Sequence, residues 1–192
     1  MPFVTRIVLA SASPRRLELL RSLGLEVIVR PSAYGEPDDP QATPLELATR
    51  HAAAKARDVQ AAAPQQLIVA ADTVVDLDGT ALNKPADAAD AARMLRLLSG
   101  RTHLVHTAFA IALPGSPGLV EEQSTTAVRF YPLTEDEIAA YVETGEPMDK
   151  AGGYGIQGRA ASLVESIEGD FYTVMGFPLA RFVRALRRLG FA

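Results

Sequence analysis

The sequence contains no cysteine. Disulfide bonds, thiolate metal sites and cysteine nucleophiles are therefore excluded. This composition fits the reducing environment of the cytosol, and we expect a cytoplasmic location. The apolar run within the N-terminal MPFVTRIVLASAS is expected to be too short for the hydrophobic region of a signal peptide.

The chain also lacks an excess of positive charge and any long apolar run. Its 19 lysines and arginines are outnumbered by 23 aspartates and glutamates, which gives a net charge of -4. Proteins that bind nucleic acid present broad basic surfaces, so no nucleic-acid partner is expected. No segment approaches the roughly 20 consecutive apolar residues of a membrane helix, so no membrane partner is expected either.

Two common catalytic motifs are missing. Neither GxxxxGK[ST] nor GxSxG occurs, so a P-loop and a nucleophile elbow are both unsupported. The loop AGGYGIQG does match GxGxxG, but no strand immediately precedes it, which argues against a dinucleotide-binding unit. Its glycines, together with Lys150, Tyr154 and Gln157, suit the binding of a flat polar ligand such as a base. An ordinary exposed loop fits the composition equally well.

The order of apolar runs and turn signals predicts a three-layer α/β fold, an elongated mixed β-sheet flanked by helices. At 192 residues the chain is most simply one domain, residues 1–192. Strands are predicted at 3–10, 25–30, 66–77, 80–83, 103–113, 119–130 and 162–168. Helices are predicted at 14–23, 44–63, 87–98, 134–145 and from 178 onward. Three helix starts carry capping signals, at 13–14, 43–46 and 134–137.

Two arginines, Arg15 and Arg16, occupy the first turn of the first predicted helix. A positive charge there opposes the helix dipole by about 0.3–1 kcal/mol. The free N–H groups of the turn and two guanidinium groups together form an anion site, and a bound phosphate would reverse the penalty. The alternative is a pair of solvated surface arginines.

Two further charges lie where apolar residues are expected. Asp72 interrupts the apolar strand LIVAADTVV, so it must be paired, hydrogen-bonded or metal-bound unless it faces a loop at the strand end. Lys55 shares a helical face with Ala48 and Ala52, where it either meets an anion or, as the position alone favours, extends its ammonium to solvent.

The three histidines lack the spacing of metal ligands. His103 and His106 would point to opposite faces of a strand, and His51 is isolated from them in the sequence. We interpret all three as structural.

Four motifs, LASASPRR, ADTVV, NKP and DKAGGYGIQG, occur in this order. Together they resemble those of the Maf family of nucleotide pyrophosphatases, over nearly the whole chain. The resemblance implies a fold similar to that of the inosine triphosphate pyrophosphatases. It also implies hydrolysis of a nucleoside triphosphate to the monophosphate and pyrophosphate, with a divalent cation, Mg²⁺ or Mn²⁺, as cofactor. Within the family, DKAGGYGIQG is similar to the branch acting on dTTP and UTP, with CTP or modified pyrimidine nucleotides as further candidates.

The resemblance also assigns roles to residues of this sequence. Asp72 matches the general base: it would take the proton of the attacking water, hold the metal together with Glu36, or do both. The positions that match the specificity residues are Arg15, Thr73 and Gln157. The positions that match the phosphate-binding set are Ser11, Arg15, Arg16, Lys55 and Lys84. Two positions depart from the family pattern: Asn83 replaces a glycine in NKP, and Phe177 replaces a leucine in GFP.

Several functions remain open at this point. The sister branch of the family takes 7-methyl-GTP, and family members have been linked to inhibition of septum formation, which would suit a nucleotide sensor without catalysis. A nucleic-acid-binding module built on the Arg15 and Arg16 turn is disfavoured by the acidic net charge. The family also suggests a homodimer, with the strand pair at 103–130 as one possible contact edge. The expected cellular role is house-cleaning of the nucleotide pool.

Overall fold

The computed structural model describes residues 6–191. Within this range the chain forms a sheet of seven strands and six α-helices. The strands are β1 (Arg6–Leu9), β2 (Glu26–Val29), β3 (Ile68–Leu77), β4 (Thr80–Leu82), β5 (Thr102–Ala112), β6 (Leu119–Phe130) and β7 (Val164–Glu168). The helices are α1 (Pro14–Ser22), α2 (Pro44–Ala62), α3 (Ala88–Leu98), α4 (Glu135–Glu143), α5 (Phe171–Met175) and α6 (Leu179–Arg188). No helix in the described range is long and apolar enough to cross a membrane.

The sheet is mixed, with the order β2-β1-β3-β5-β6-β7 and with β4 paired to β3. β2, β1 and β3 are parallel, whereas β5, β6 and β7 continue the sheet with antiparallel pairs. Helix α2 packs its alanine-rich face on one side of the sheet, and α1 and α6 pack on the other around Phe109. The predicted fold class, a mixed sheet between layers of helices, is confirmed.

Local capping signals place the helices as the sequence predicts. Ser13 caps α1 ahead of Pro14, and its hydroxyl accepts from the Arg16 N–H. Thr43 and Thr134 each form a complete capping box, at the starts of α2 and α4. These contacts satisfy N–H groups that would otherwise lack partners, so they determine where each helix starts. Each contact joins residues that are only three positions apart in the sequence.

A gap along one edge of β3 determines where the cavity lies. One edge of β3 pairs with β5 from Ile68 to Asp76. The other edge pairs with β1 only at Ile68 and Val69, and with β4 only from Val75 to Leu77. Between them, residues 70–74 have no strand partner on this edge among the described residues. The chain leaves β1 for α1 at this gap, which opens the sheet beside Asp72 and Thr73.

The structure differs from the sequence predictions in several segments. The predicted loop around 148–160 contains three short 3₁₀ helices, at Glu146–Asp149, Ala151–Gly153 and Gly158–Ser162. Helix α5 was not predicted. The first strand begins at Arg6 in the described chain, and residues 3–5 of the predicted strand lie outside the described residues.

The pair formed by β5 and β6 is mostly interior. β5 lies between β3 and β6, so it offers no free edge. β6 pairs with β7 only through residues 127–130, and its earlier half has no second strand partner among the described residues. Any contact edge in this pair is therefore confined to the first half of β6.

Candidate active site

A cavity of about 670 Å³ opens at the gap in the edge of β3. Its walls come from the connection between β1 and α1, the loop after β2, one face of α2, the middle of β3, the segment after β4 and the 149–157 loop. Every residue predicted to bind substrate or metal, or to act as base, lines this one cavity. These residues are Ser11, Arg15, Arg16, Glu36, Lys55, Asp72, Thr73, Lys84, Lys150 and Gln157. Their individual roles stay predictions.

The first turn of α1 directs its two arginines differently. The Arg16 guanidinium donates to the Gly176 carbonyl at 2.9 Å, to the Thr73 hydroxyl at 3.1 Å and to the Ser11 hydroxyl at 3.2 Å. Burial lowers the pKa of Arg16 from its ordinary value, although the charge of Asp72 opposes the shift. Arg15 is held more loosely, by Asp149 at 3.4 Å. Arg16 thus forms a fixed wall of the cavity, and Arg15 is freer to meet a ligand.

A lysine joins the two carboxylates of the site. The Lys55 Nζ lies 2.6 Å from Asp72 Oδ1 and 2.5 Å from Glu36 Oε1. Asp72 is only 7% exposed, so its charge needs such a partner. This pair explains both anomalies of the sequence, the aspartate in an apolar strand and the lysine on an apolar helical face.

Glu36 adopts a backbone conformation that side chains disfavour. Its φ is 44°, in the left-handed region, and non-glycine residues there are often found at functional sites. Burial would raise the pKa of Glu36, but the hydrogen bond from Lys55 and the charges of Lys55 and Lys84 outweigh it and hold the pKa below its ordinary value. Glu36 is therefore a carboxylate at neutral pH.

The residues present fit a hard divalent cation. Glu36 and Asp72 converge on one nitrogen atom, and carboxylate oxygens are the ligands that Mg²⁺ prefers. No group of three or more histidine, cysteine, aspartate or glutamate side chains within residues 6–191 is arranged to hold a metal. Mg²⁺ is commonly held by one or two carboxylates with substrate phosphates and water completing the shell. The pair therefore suits a cation that enters together with a polyphosphate.

The 149–157 loop forms another wall of the cavity. Lys150 donates to Asp149 Oδ1 at 2.6 Å, which holds its ammonium within the loop. The Gly152 N–H donates to the Asn83 carbonyl at 3.0 Å, so the loop is tied to the segment that carries Lys84. A Cβ at Gly152 would lie 3.0 Å from the side chain of Val75, which shows how closely the loop approaches the sheet.

Tyr154 anchors the same loop to the sheet. Its hydroxyl lies 2.6 Å from His103 Nε2, and its ring packs edge-on against Phe130. Burial lowers the pKa of His103 to about 4, so the imidazole is neutral at physiological pH. His106 bonds instead to Asp76 and Thr125 on the other face of the sheet. Both histidines fit the structural role that the sequence suggests.

The sequence interpretation overlooked two residues of the cavity. Tyr34 and His51 both line it, and the Tyr34 hydroxyl lies 3.3 Å from His51 Nδ1. His51 precedes Lys55 by four residues, so the helical repeat places both on one face of α2. That spacing was the available signal, and it separates His51 from the other two histidines.

Known proteins are similar to this chain over nearly its whole length. A family described as Maf-like protein matches residues 6–189. A protein of Geobacter sulfurreducens named dTTP/UTP pyrophosphatase is 50% identical over 96% of this chain and 97% of its own. A protein of Symbiobacterium thermophilum with the same name is 49% identical, over 97% of this chain and 95% of its own.

The fold has a solved counterpart. The structure of a HAM1 protein from Coxiella burnetii is similar, with a TM-score of 0.50 over 96% of this chain and 100% of that chain. Its sequence is 19% identical, so the likeness concerns the fold alone.

Proposed function

The chain belongs to the family of Maf-like proteins, and from this premise we propose that it hydrolyses dTTP and UTP to the monophosphate and pyrophosphate. The observation that carries the proposal is one cavity in which cationic side chains surround a pair of convergent carboxylates. A triphosphate needs the cations, and activation of a water molecule needs a carboxylate. The two relatives, each about half identical over nearly their full length, are named for dTTP and UTP, and this supports pyrimidine nucleotides as the substrates.

The cationic wall binds and orients the triphosphate. The first turn of α1 places Arg15 at the cavity, and this turn carries no acidic residue that would repel a phosphate. Lys84 faces it from the segment after β4. In phosphoryl transfer, positioning and charge stabilisation supply most of the rate enhancement, so these groups hold the anhydride in line for attack.

Asp72 accepts the proton of the attacking water. Its carboxylate contacts the Lys55 ammonium, which orients it in a buried position. Glu36 and Asp72 would hold Mg²⁺ or Mn²⁺ on their convergent oxygens. When bound, such a cation supplies a Lewis acid that neutralises charge on the phosphate oxygens.

Base selection falls to the 149–157 loop. Uracil and thymine present an acceptor-donor-acceptor edge, which the Gln157 amide and nearby backbone groups can match. Gly155 of the same loop also lines the cavity, and the absence of a side chain there lets the backbone approach the base. Thr73, another of the three specificity positions, already bonds Arg16 and Thr107 through its hydroxyl, so it acts by fixing that wall of the cavity.

Further parts of the proposal concern the cell. We expect a homodimer in the cytoplasm that cleans the nucleotide pool and binds no nucleic acid. The absence of cysteine and the net charge of -4 support the location and the lack of a nucleic-acid partner.

Product analysis with a panel of triphosphates tests the proposal. Purified protein is incubated with dTTP, UTP, CTP, GTP and 7-methyl-GTP, with and without Mg²⁺, and nucleotide and pyrophosphate are quantified. The expected result is equimolar monophosphate and pyrophosphate, fastest with dTTP and UTP and dependent on the metal. Preference for 7-methyl-GTP would move the chain to the sister activity. Tight binding of dTTP without pyrophosphate release would indicate a nucleotide sensor.

A further inference from the structure

Tyr34 and His51 repeat the arrangement of Glu36 and Lys55 one step along the cavity. Tyr34 precedes Glu36 by two residues in the loop after β2, and His51 precedes Lys55 by one turn of α2. The contact between Tyr34 and His51 therefore runs beside the contact between Glu36 and Lys55, and all four residues line the cavity. A polyphosphate that reaches Lys55 passes close to the imidazole.

One nitrogen of His51 is left for a ligand. The residue is only 7% exposed, and its Nδ1 faces the Tyr34 hydroxyl at 3.3 Å. Its Nε2 has no hydrogen-bond partner within residues 6–191. In the same range, the side-chain atoms that are both buried from solvent and without a hydrogen-bond partner are His103 Nδ1 and Tyr141 Oη. His51 Nε2 is not one of them, so this atom is accessible to solvent. Because His51 lines the cavity, the open side of Nε2 is the cavity itself.

The partner of Nδ1 decides what Nε2 can do. In a neutral imidazole one nitrogen donates and the other accepts, and the hydrogen bond at one nitrogen selects the state of the other. A hydroxyl that donates to Nδ1 leaves the proton on Nε2, which then donates into the cavity. Phosphate oxygens are acceptors, so a triphosphate favours this tautomer.

We propose that Tyr34 holds His51 in the tautomer whose Nε2–H donates to an oxygen of the pyrophosphate leaving group. The inference rests on the proposed function and adds a substrate-binding residue to it. In the loop after β2, Asp38 accepts from the Asn83 amide, and the Asn83 carbonyl accepts from Gly152 of the base-binding loop, whereas Tyr34 and His51 contact each other at the other end of that loop. The pair therefore binds the pyrophosphate and not the nucleoside monophosphate.

Binding of the two products tests the inference separately from catalysis. Dissociation constants for inorganic pyrophosphate and for dTMP are measured by calorimetry in the presence of Mg²⁺. His51→Leu removes the donor and fills the space, and it is expected to weaken pyrophosphate binding about tenfold, as loss of a hydrogen bond to a charged group does. Binding of dTMP should be unchanged.

Two variants make the test specific for the donor. His51→Gln places an amide N–H near the position of Nε2 and should bind pyrophosphate within about threefold of wild type. Tyr34→Phe leaves the tautomer unselected and should weaken binding by about threefold, and it keeps the test valid if His51→Leu does not fold. Arg57→Gln is the matched control, because it removes an exposed cation of α2 that does not line the cavity, and it should leave both constants unchanged.

The outcomes separate the inference from the proposed function. Wild-type-like pyrophosphate binding by His51→Leu, equal weakening of dTMP, or failure of His51→Gln to restore binding would each overturn the inference. Absence of pyrophosphate release from dTTP by the wild-type protein would overturn the proposed function whatever the variants bind.

Discussion

Replacing Lys55 by methionine perturbs the centre of the site most directly. Methionine keeps an unbranched stem of similar length and removes the ammonium. The change leaves Asp72 on a buried strand without the nitrogen that lies 2.6 Å from its Oδ1. The protein must then either bury an unpaired charge or bind a proton, and both options cost stability.

The size of the loss follows from the exposure of the three side chains. The side chains of Lys55 and Asp72 are each 10% exposed, so water screens their contact little. Removing one partner of such a buried pair costs about 3–5 kcal/mol. The Glu36 side chain is 45% exposed, and a contact of that kind contributes about 1 kcal/mol or less. For a chain of this length the loss corresponds to a melting temperature lower by roughly 6–20 °C.

A double-mutant cycle in urea measures this pair. Wild type, Lys55→Met, Asp72→Asn and the double variant are unfolded at neutral pH, and the cycle isolates the coupling energy. The double variant should be more stable than Lys55→Met, because it contains no unpaired carboxylate at residue 72. A Lys55→Met protein within about 1 kcal/mol of wild type, or a double variant less stable than Lys55→Met, would refute the reasoning.

Three further predictions concern the walls of the cavity. Gly152→Ala adds a Cβ 3.0 Å from Val75 at a φ of 67°, whereas Gly24→Ala, at a φ of 79°, has no atom within 4 Å of the new Cβ. Gly152→Ala should therefore lose more stability than Gly24→Ala when both are unfolded in urea. Equal losses would argue against close packing of the loop. Because the pKa of Glu36 is held below its ordinary value of 4.5, its contribution to stability is present above that pH and is lost as the pH falls through the folded-state pKa. Wild type should therefore lose stability more steeply than Glu36→Gln below pH 4.5, and identical acid limbs would contradict the ion pair. Gln157→Ala should reduce the kcat/KM preference for dTTP over GTP by about tenfold, whereas an unchanged preference in steady-state assays would remove Gln157 from base selection.

Local signals made much of the fold predictable. The serine and proline before α1 and the capping boxes of α2 and α4 satisfy backbone groups within a few residues, so their effect can be derived from sequence alone. The long apolar runs of β3 and β5 likewise identify a buried centre of the sheet. Helix α5 escaped prediction because its five residues are too few to show a helical period. Its N-cap, Asp170, and the glycine that ends it, Gly176, were the available signals.

The site was less accessible to sequence because its contacts are long-range. The positions of Asp72 and Lys55 each indicated that the side chain needs a partner of opposite charge. Nothing in the local sequence shows that Lys55 of α2 is the partner of Asp72 of β3. Arg16 was expected to face an anion, whereas the fold commits three of its nitrogens to Ser11, Thr73 and Gly176. The bond to Gly176 depends on the path of the chain after β7, which no motif near Arg16 encodes.

The turnover of Asp72→Asn with dTTP tests the central claim, that the carboxylate in this cavity activates the water that breaks the anhydride. Pyrophosphate release is measured at saturating dTTP and Mg²⁺ for wild type and variant, with circular dichroism to establish that both are folded. We expect wild type to release one pyrophosphate per dTMP and the folded variant to show a kcat lower by about 100-fold or more. A folded Asp72→Asn protein that turns over dTTP like wild type would contradict the account.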